Sequence, residues 1–508
     1  TSPAAMPSGT AATVVAFLAV ATSAAVLAPA RPHALLHPML ITSARRSGSP
    51  VCTATLATGT MPIVHLVALG CPKNTVDAEV MLGDLQRRGA RISASVEGAD
   101  VIIVNTCAFV EDAKAESIEA IVTAAALKAD REVPAKALFV TGCLAQRYAQ
   151  ELADELPEVD AVVGFERYAE LPDKIFALFD GGADEGTAVL VGSPTVPFRS
   201  EVDRWQLTPS HSAYMRVAEG CDHECTFCAI PGFRGKFRSK PFDVLVAEAE
   251  RLVERGVREL NLIAEDTNQY GSDFGPDDTR RLPALLHALA ALPKLRWIRL
   301  LYCYPSYFSE ELIQTIASVD KVVKYIDIPL QHLSPTVLAR MRRPGAAGTD
   351  SILRRLREAV PGLVLRTTFI CGFPGETDEE HEELVRRARD LGFARGGAFA
   401  YSQEDGTVAA SMEEQIDENL KQDRRDELSA LFQEQSRAWA EAQLGKTINV
   451  MVDRMEGNDA IGRTEFDAPD IDNTVRIPEM PLLPGTVVPV KVVAVDETDL
   501  IGEVAAVP

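Results

Sequence analysis

From residue 61 onward, apolar runs of strand length alternate with stretches that repeat at helical period. Three such runs, 63–69, 101–104 and 137–140, are each followed by an amphipathic stretch. Alternation of this kind predicts a parallel sheet, because parallel neighbours need a crossover and a helix supplies it. After residues 181–206, which begin Gly181-Gly182, contain Pro194 and Pro197 and read as a linker, a second series begins. Its strand candidates are 214–218, 260–264, 297–301, 325–328, 363–370 and 397–401. Six βα units predict an incomplete (βα)6 TIM-like barrel, with its reactive groups on the loops at the carboxyl ends of the strands. Residues 412–444 form a charged helical stretch, expected to present a solvated face leading out of the barrel. Short alternating strands such as 447–452 and 487–495 then predict a small β-barrel. The fold class is α/β, with modules at 61–180, 207–440 and 441–508.

Residues 1–60 follow other rules. No Asp or Glu precedes Asp77, while Arg31, Arg45 and Arg46 lie among Ser, Thr, Ala and Pro. The Ala/Val/Leu-rich run 11–27 precedes Ala28-Pro29-Ala30 and is barely of membrane-spanning length, which is about 20 residues. The expectation is a targeting leader with a bipartite plastid address, the mature protein residing in the stroma without stable membrane association. A mitochondrial presequence, a short membrane anchor and a misplaced gene start are the alternatives. Cys52 lies in this segment and is given no role.

The chain has 508 residues, of which 46% are hydrophobic and 24% charged, as expected of a globular protein of about three domains. Its formal net charge of −22 argues against a general grip on nucleic acid, which needs clustered Lys and Arg. In residues 441–508, thirteen acidic side chains face five basic ones. That excess is expected to attract a basic protein, with Asp467, Asp470 and Asp472 on the recruiting face.

Cysteine placement narrows the chemistry. Cys221-Asp222-His223-Glu224-Cys225-Thr226-Phe227-Cys228 sets three thiols on one short loop directly after the first strand of the second series. Three thiolates can hold three corners of a cubane iron-sulfur cluster and leave the fourth iron open to a reacting molecule. Half of a zinc ribbon is the competing reading, but it needs a second close cysteine pair, and Cys303 and Cys371 are solitary. In the first series, each strand runs into a cysteine: Gly70-Cys71, Asn105-Thr106-Cys107 and Gly142-Cys143. Ligands of open α/β sheets bind beyond the carboxyl ends of the strands, so these three are expected to converge in a second cluster site. Singly, each would more often be a small buried hydrophobe. Gly70 and Gly142 would allow close approach of the backbone, and Asn74 and Asn105 could donate hydrogen bonds nearby. Thiols kept for iron imply a reducing compartment.

These motifs resemble those of the radical S-adenosylmethionine (SAM) methylthiotransferases, from about residue 61 to the C-terminus. The resemblance rests on Leu69-Gly70-Cys71-Pro72-Lys73-Asn74, Asn105-Thr106-Cys107, Thr141-Gly142-Cys143-Leu144, Glu219-Gly220-Cys221 through Cys228 with Ile230-Pro231 and Arg234-Gly235, and Gly372-Phe373-Pro374-Gly375-Glu376. Pro329-Leu330-Gln331-His332, Arg342-Arg343-Pro344-Gly345 and Asp467-Ala468-Pro469-Asp470-Ile471-Asp472 resemble the subgroup that modifies an aspartate of ribosomal protein uS12. The resemblance implies an N-terminal iron-sulfur domain at 61–180, a radical-SAM domain at 207–440 and a TRAM domain at 441–508. It also implies two [4Fe-4S] clusters, one on Cys221, Cys225 and Cys228 that cleaves SAM to a deoxyadenosyl radical, and one on Cys71, Cys107 and Cys143 that supplies sulfur. SAM contacts are expected from Phe227, Asp266, Gly372, Phe373 and Gly375, with ordinary packing the equal alternative for Phe373. Glu265 stands where the family pattern has Gln, and Cys371 is read as packing. The implied partners are uS12, a ferredoxin- or flavodoxin-type electron donor and a sulfur donor, the enzyme being a monomer. A tRNA-adenosine methylthiotransferase and a non-catalytic iron-sulfur electron carrier are the rival functions.

Overall fold

The computed structural model describes residues 61–129, 135–179, 186–193, 198 and 201–505; the expected leader lies outside them. Two compact units result. The first comprises residues up to Leu207 together with Gly232–Arg234, and the second comprises Thr208–Pro231 and Gly235–Pro508.

The first unit is built on six parallel strands: β1 (Ile63–Ala68), β2 (Arg91–Ser93), β3 (Val101–Thr106), β4 (Ala137–Thr141), β5 (Ala161–Val163) and β6 (Ala188–Leu190), ordered 2-1-3-4-5-6. The three apolar runs seen in the sequence are the adjoining central strands β1, β3 and β4. Their apolar side chains pack with Met81, Leu82 and Leu85 of the helix Pro72–Arg88 and with Leu171 and Ile175 of the helix Leu171–Phe179. The linker expected at 181–206 needs correction, since part of it is β6, paired in register with β5. Three residues are too few for an alternation of polarity to announce a strand.

In the second unit, β7 (Ser212–Arg216) leads to a short antiparallel pair, β8 (Ala218–Glu219) with β9 (Arg238–Ser239). The parallel sheet continues through β10 (Glu259–Ile263), β11 (Trp297–Leu300), β12 (Val322–Asp327), β13 (Val364–Cys371) and β14 (Arg395–Ala400), ordered 14-13-12-11-10-7. These are the six strands of the expected partial barrel. Cys303 and Cys371 are fully buried in its apolar core. The charged stretch after β14 forms the helix Glu418–Glu441, and the expectation of a merely solvated face is corrected. Leu428, Leu431 and Phe432 join the barrel core, and Phe432 stacks on Phe369 at 5.8 Å. Gly396 makes room for it, because a Cβ there would lie 2.3 Å from the Phe432 ring.

A closed five-stranded barrel ends the chain: β15 (Thr447–Glu456), β16 (Asp459–Thr464), β17 (Val475–Ile477), β18 (Val487–Asp496) and β19 (Asp499–Val504). Its acidic loop is not a free docking face. Asp467 and Asp472 have side chains 2% and 4% exposed; Arg395 holds Asp467 at 2.6 Å, Tyr325 Oη donates to Asp472 at 2.7 Å, and Asp470 alone of the three is exposed. The network continues through Arg463, which bonds both Glu259 (2.8 Å) and Asp453 (2.8 Å), and through Arg299, which bonds Glu259 (3.0 Å) and the Glu465 carbonyl (2.8 Å). Glu259 and Arg395 are the first residues of their strands, so the C-terminal barrel closes the amino end of the TIM-like barrel. Asp467 and Asp472 therefore join two barrels. The excess of negative charge on the outer surface shrinks accordingly, to seven exposed acidic side chains against four basic ones in residues 441–505.

Candidate active site

In the first unit, β1, β3 and β4 end side by side, and each end delivers a thiol. Cys71 caps the helix Pro72–Arg88, Cys107 follows β3, and Cys143 lies in the first turn of the helix Gly142–Arg147. The glycines are demanded by close approach. A Cβ on Gly70 (φ +88) would lie 2.9 Å from Cys107 Sγ, and one on Gly142 (φ +95) would lie 2.2 Å from the Thr106 carbonyl oxygen. Asn74 Nδ2 donates to the carbonyls of Leu69 (3.1 Å) and Thr106 (2.7 Å), and Asn105 Nδ2 donates to the Asn74 carbonyl (2.9 Å). The asparagines thus knit the cysteine-bearing turns together through the backbone. Cys107 is further held by Ser117, whose Oγ accepts its N–H at 2.9 Å, and the Tyr168 hydroxyl accepts the Gly142 N–H at 2.8 Å. We predict that Gly142→Ala, which combines a left-handed backbone with an overlap on Thr106, costs about 1–3 kcal/mol of stability. A denaturant midpoint measures that loss, and iron content after reconstitution should fall with it.

In the second unit, Gly220 (φ +74) turns the chain after β8 and Cys221 N–H bonds the Gly235 carbonyl at 3.0 Å, closing the base of the cysteine loop. Its tip is tethered by Thr226, whose N–H and Oγ donate to the carbonyls of Met341 (3.2 Å) and Arg340 (2.9 Å). Beside it, Arg343 Nη1 lies 3.8 Å from Cys225 Sγ, and its guanidinium sits 4.1 Å over the Tyr304 ring. Tyr304 in turn stacks on His223 at 3.6 Å, and His223 Nε2 contacts Asp266 Oδ2 at 2.7 Å. Asp266 is fully buried and also accepts the Gln269 N–H (3.3 Å), so its carboxylate orders this loop. Phe227 and Phe373 share one apolar cluster with Val337, Met341 and Tyr401. The Phe373 ring is completely buried edge-on to Tyr401, which makes it packing.

The turn Gly372–Gly375 is organised by Glu376. Its carboxylate accepts the N–H groups of Gly372 (2.9 Å) and Phe373 (3.3 Å) and pairs with Arg424 (3.0 Å), with His332 Nε2 3.5 Å away. Burial alone would raise its pKa, but His332, the Gly372 N–H and Arg424 outweigh it and hold Glu376 below the ordinary range. Gly372 (φ +71) and Gly375 (φ +75) both adopt the left-handed backbone this turn needs. Non-glycine residues strained in the same way, Tyr302 (φ +60) and Gln331 (φ +71), follow β11 and β12 at the same carboxyl end.

The thiols themselves indicate what they can hold. Burial pushes Cys221 and Cys228 up to about 12 and Cys143 up to about 11, and in each case neighbouring thiols add to the rise. Burial likewise raises Cys107, reinforced by Cys143 and Cys71. Glu265 is close enough to Cys228 to raise it further. Such groups become thiolates only beside a strong positive centre, and binding one would release protons. Among the described residues, no three His, Cys, Asp or Glu side chains converge on a single ion. Within each set the thiols lie near enough to raise one another, and three thiols are the donor set a cubane takes, each on a different iron.

The comparisons follow this division. The chain matches the model described as uncharacterized protein family UPF0004 at residues 63–164, the radical SAM superfamily at 215–388 and the TRAM domain at 444–505. It is 43% identical over 450 residues to the ribosomal protein uS12 methylthiotransferase RimO of Desulforamulus reducens, covering 88% of this chain and 100% of that one. The RimO of Anaeromyxobacter sp. is 44% identical over 451 residues, covering 87% and 93%. The chain belongs to the RimO family. Among solved structures, the radical SAM methyltransferase TsrM of Kitasatospora setae aligns with a TM-score of 0.48 at 16% identity, over 67% of this chain and 75% of that one.

In this RimO-family chain Cys71, Cys107 and Cys143 thus follow β1, β3 and β4, and the loop of Cys221, Cys225 and Cys228 follows β7 and β8. Sequence reasoning gave no role to Ser117, Tyr168, His223, Tyr304 or Glu376. The last could have been found from its place closing a Gly-Phe-Pro-Gly turn, where two N–H groups need an acceptor.

Proposed function

We propose that the chain methylthiolates the β-carbon of an aspartate in ribosomal protein uS12, using SAM, a sulfur donor and two [4Fe-4S] clusters. The observation that carries this reading is the pair of three-thiol sets, each at the carboxyl ends of a parallel sheet, in a chain matched almost end to end by uS12 methylthiotransferases. When bound, the clusters would supply one electron for SAM cleavage and the sulfur to be inserted. Cys221, Cys225 and Cys228 would hold the first, with Arg343 offsetting thiolate charge at Cys225. Cys71, Cys107 and Cys143 would hold the second. Glu376, by accepting the N–H groups of Gly372 and Phe373, would fix the shape of the turn expected to contact SAM. A ferredoxin- or flavodoxin-type reductant completes the reading, and the acid-free, Arg/Ser-bearing residues 1–60 support residence in the plastid stroma.

The test is an anaerobic assay offering uS12 and tRNA together. Methylthiolation of the uS12 aspartate, detected by mass spectrometry, is expected, and modification of tRNA adenosine with uS12 untouched overturns the reading. Cys71→Ala, Cys107→Ala and Cys143→Ala should retain SAM cleavage while losing sulfur insertion. A fluorescent fusion of residues 1–60 that remains in the cytosol would refute the plastid assignment.

A further inference from the structure

The first unit takes three residues from a distant part of the chain, Gly232–Arg234, and the last of them enters the three-thiol set. Arg234 has a side chain only 5% exposed. Its Nη2 lies 2.9 Å from Asp77 Oδ2, 3.1 Å from Asn74 Oδ1 and 3.9 Å from Cys143 Sγ. The guanidinium lies 4.4 Å over the Phe165 ring, which is itself stacked with Phe233 at 6.5 Å. A buried cation held on one side by an aromatic face and on the other by a carboxylate has little freedom to move away from the sulfur.

We propose that Arg234 is a positioning residue for the Cys71/Cys107/Cys143 cluster, setting its reduction potential by presenting positive charge and an N–H group to Cys143 Sγ, with Asp77 as the counterweight. Hydrogen bonds to cluster sulfurs and local net charge are among the principal determinants of iron-sulfur potentials. A cation beside a ligating thiolate stabilises the reduced, more negative cluster and so raises its potential. Asp77, whose carboxylate shares the same guanidinium, acts in the opposite sense. The sequence delivers this group only six residues after Cys228, so the segment that carries one set of thiols also supplies the cation of the other.

This inference rests on the two-cluster reading above, and the experiment separates the two. The full-length chain carrying Cys221→Ala, Cys225→Ala and Cys228→Ala is reconstituted anaerobically with iron and sulfide, so that any remaining cluster is the one beside Arg234. Iron content and a redox titration followed by electron paramagnetic resonance are then measured with Arg234→Gln, Arg234→Lys and Asp77→Asn added singly. Arg234→Gln should make the cluster about tenfold harder to reduce at a given poise, a shift of about 59 mV to more negative potential for one electron. Arg234→Lys should stay near the parent, and Asp77→Asn should shift the other way. A parent that binds no iron overturns the two-cluster reading and this role with it. A parent that binds iron, with potentials unmoved by Arg234→Gln and Asp77→Asn, overturns the role of Arg234 alone. Should Arg234→Gln fail to retain iron, Asp77→Asn decides: a positive shift supports the role and an unchanged potential ends it.

Discussion

Replacing Cys221, Cys225 or Cys228 by Ala is expected to reduce SAM cleavage to the uncatalysed background. Each of these thiols would bind a separate iron on a loop whose base is closed by the Cys221–Gly235 hydrogen bond and whose tip is tied to Arg340 and Met341. Removing one leaves two ligands, too few to hold the cluster in a site built for three, and the electron donor is lost with it. Release of 5′-deoxyadenosine under a strong reductant measures the effect, and iron analysis of the same sample should show one cluster's worth missing. Near-normal release from any one of the three variants would mean that the loop does not hold the reducing centre. The stability of the fold should change little for Cys225→Ala and Cys228→Ala, whose thiols are only partly buried, and more for Cys221→Ala, whose buried Sγ accepts the His223 N–H at 3.4 Å.

Glu259→Gln is expected to destabilise the second unit by about 3–5 kcal/mol, the cost typical of breaking a buried ion pair from one side. Glu259 is fully buried between Arg299 and Arg463, and the amide cannot neutralise either guanidinium. Burial by itself would raise the Glu259 pKa, but the two arginines overcome it and hold the group down at about 2, against an ordinary value of 4.5. A depressed carboxylate stabilises the fold above its unfolded pKa, and that stabilisation is lost as pH falls from about 4.5 towards 2. Urea midpoints between pH 7 and pH 3 should therefore fall more steeply for the parent than for Glu259→Gln, which has no proton to take up at this position. Parallel curves for the two proteins would show that Glu259 is not the linked group.

The sequence revealed more of the sites than of the contacts around them. A run of apolar residues ending in Gly or Asn before a cysteine declares both a strand and the polarity of its end, so the adjacency of Cys71, Cys107 and Cys143 followed from parallel topology. The same reasoning placed the Cys221 loop after the first strand of the second series, which the structure divides into β7 and β8. Short edge strands such as β2 and β6 offered no comparable pattern, because three residues look alike in a strand and in a loop. The acidic loop at Asp467–Asp472 misled for a different reason. A charge count does not reveal whether its partners are in another molecule or in the same chain, and Arg366, 3.7 Å from Asp472, and Arg395, 2.6 Å from Asp467, lie on separate strands with no common spacing. Helix Glu418–Glu441 was misjudged likewise, since of its scattered apolar positions only Leu428, Leu431 and Phe432 enter the barrel core, which suffices because Gly396 opens a slot for the last.

The two joined barrels limit how freely this architecture can be recombined. A TRAM module is easily imagined as a detachable appendage, to be trimmed or exchanged between relatives of different substrate preference. Here its removal would leave Glu259, Arg299, Arg366 and Arg395 facing solvent from an opened barrel end, without the Arg463, Asp467 and Asp472 side chains and the Glu465 carbonyl that now bond to them. An exchanged module would therefore have to bring a matching set of charges at its β16 end. Substrate preference in such chimeras would be read only after that electrostatic fit had been restored.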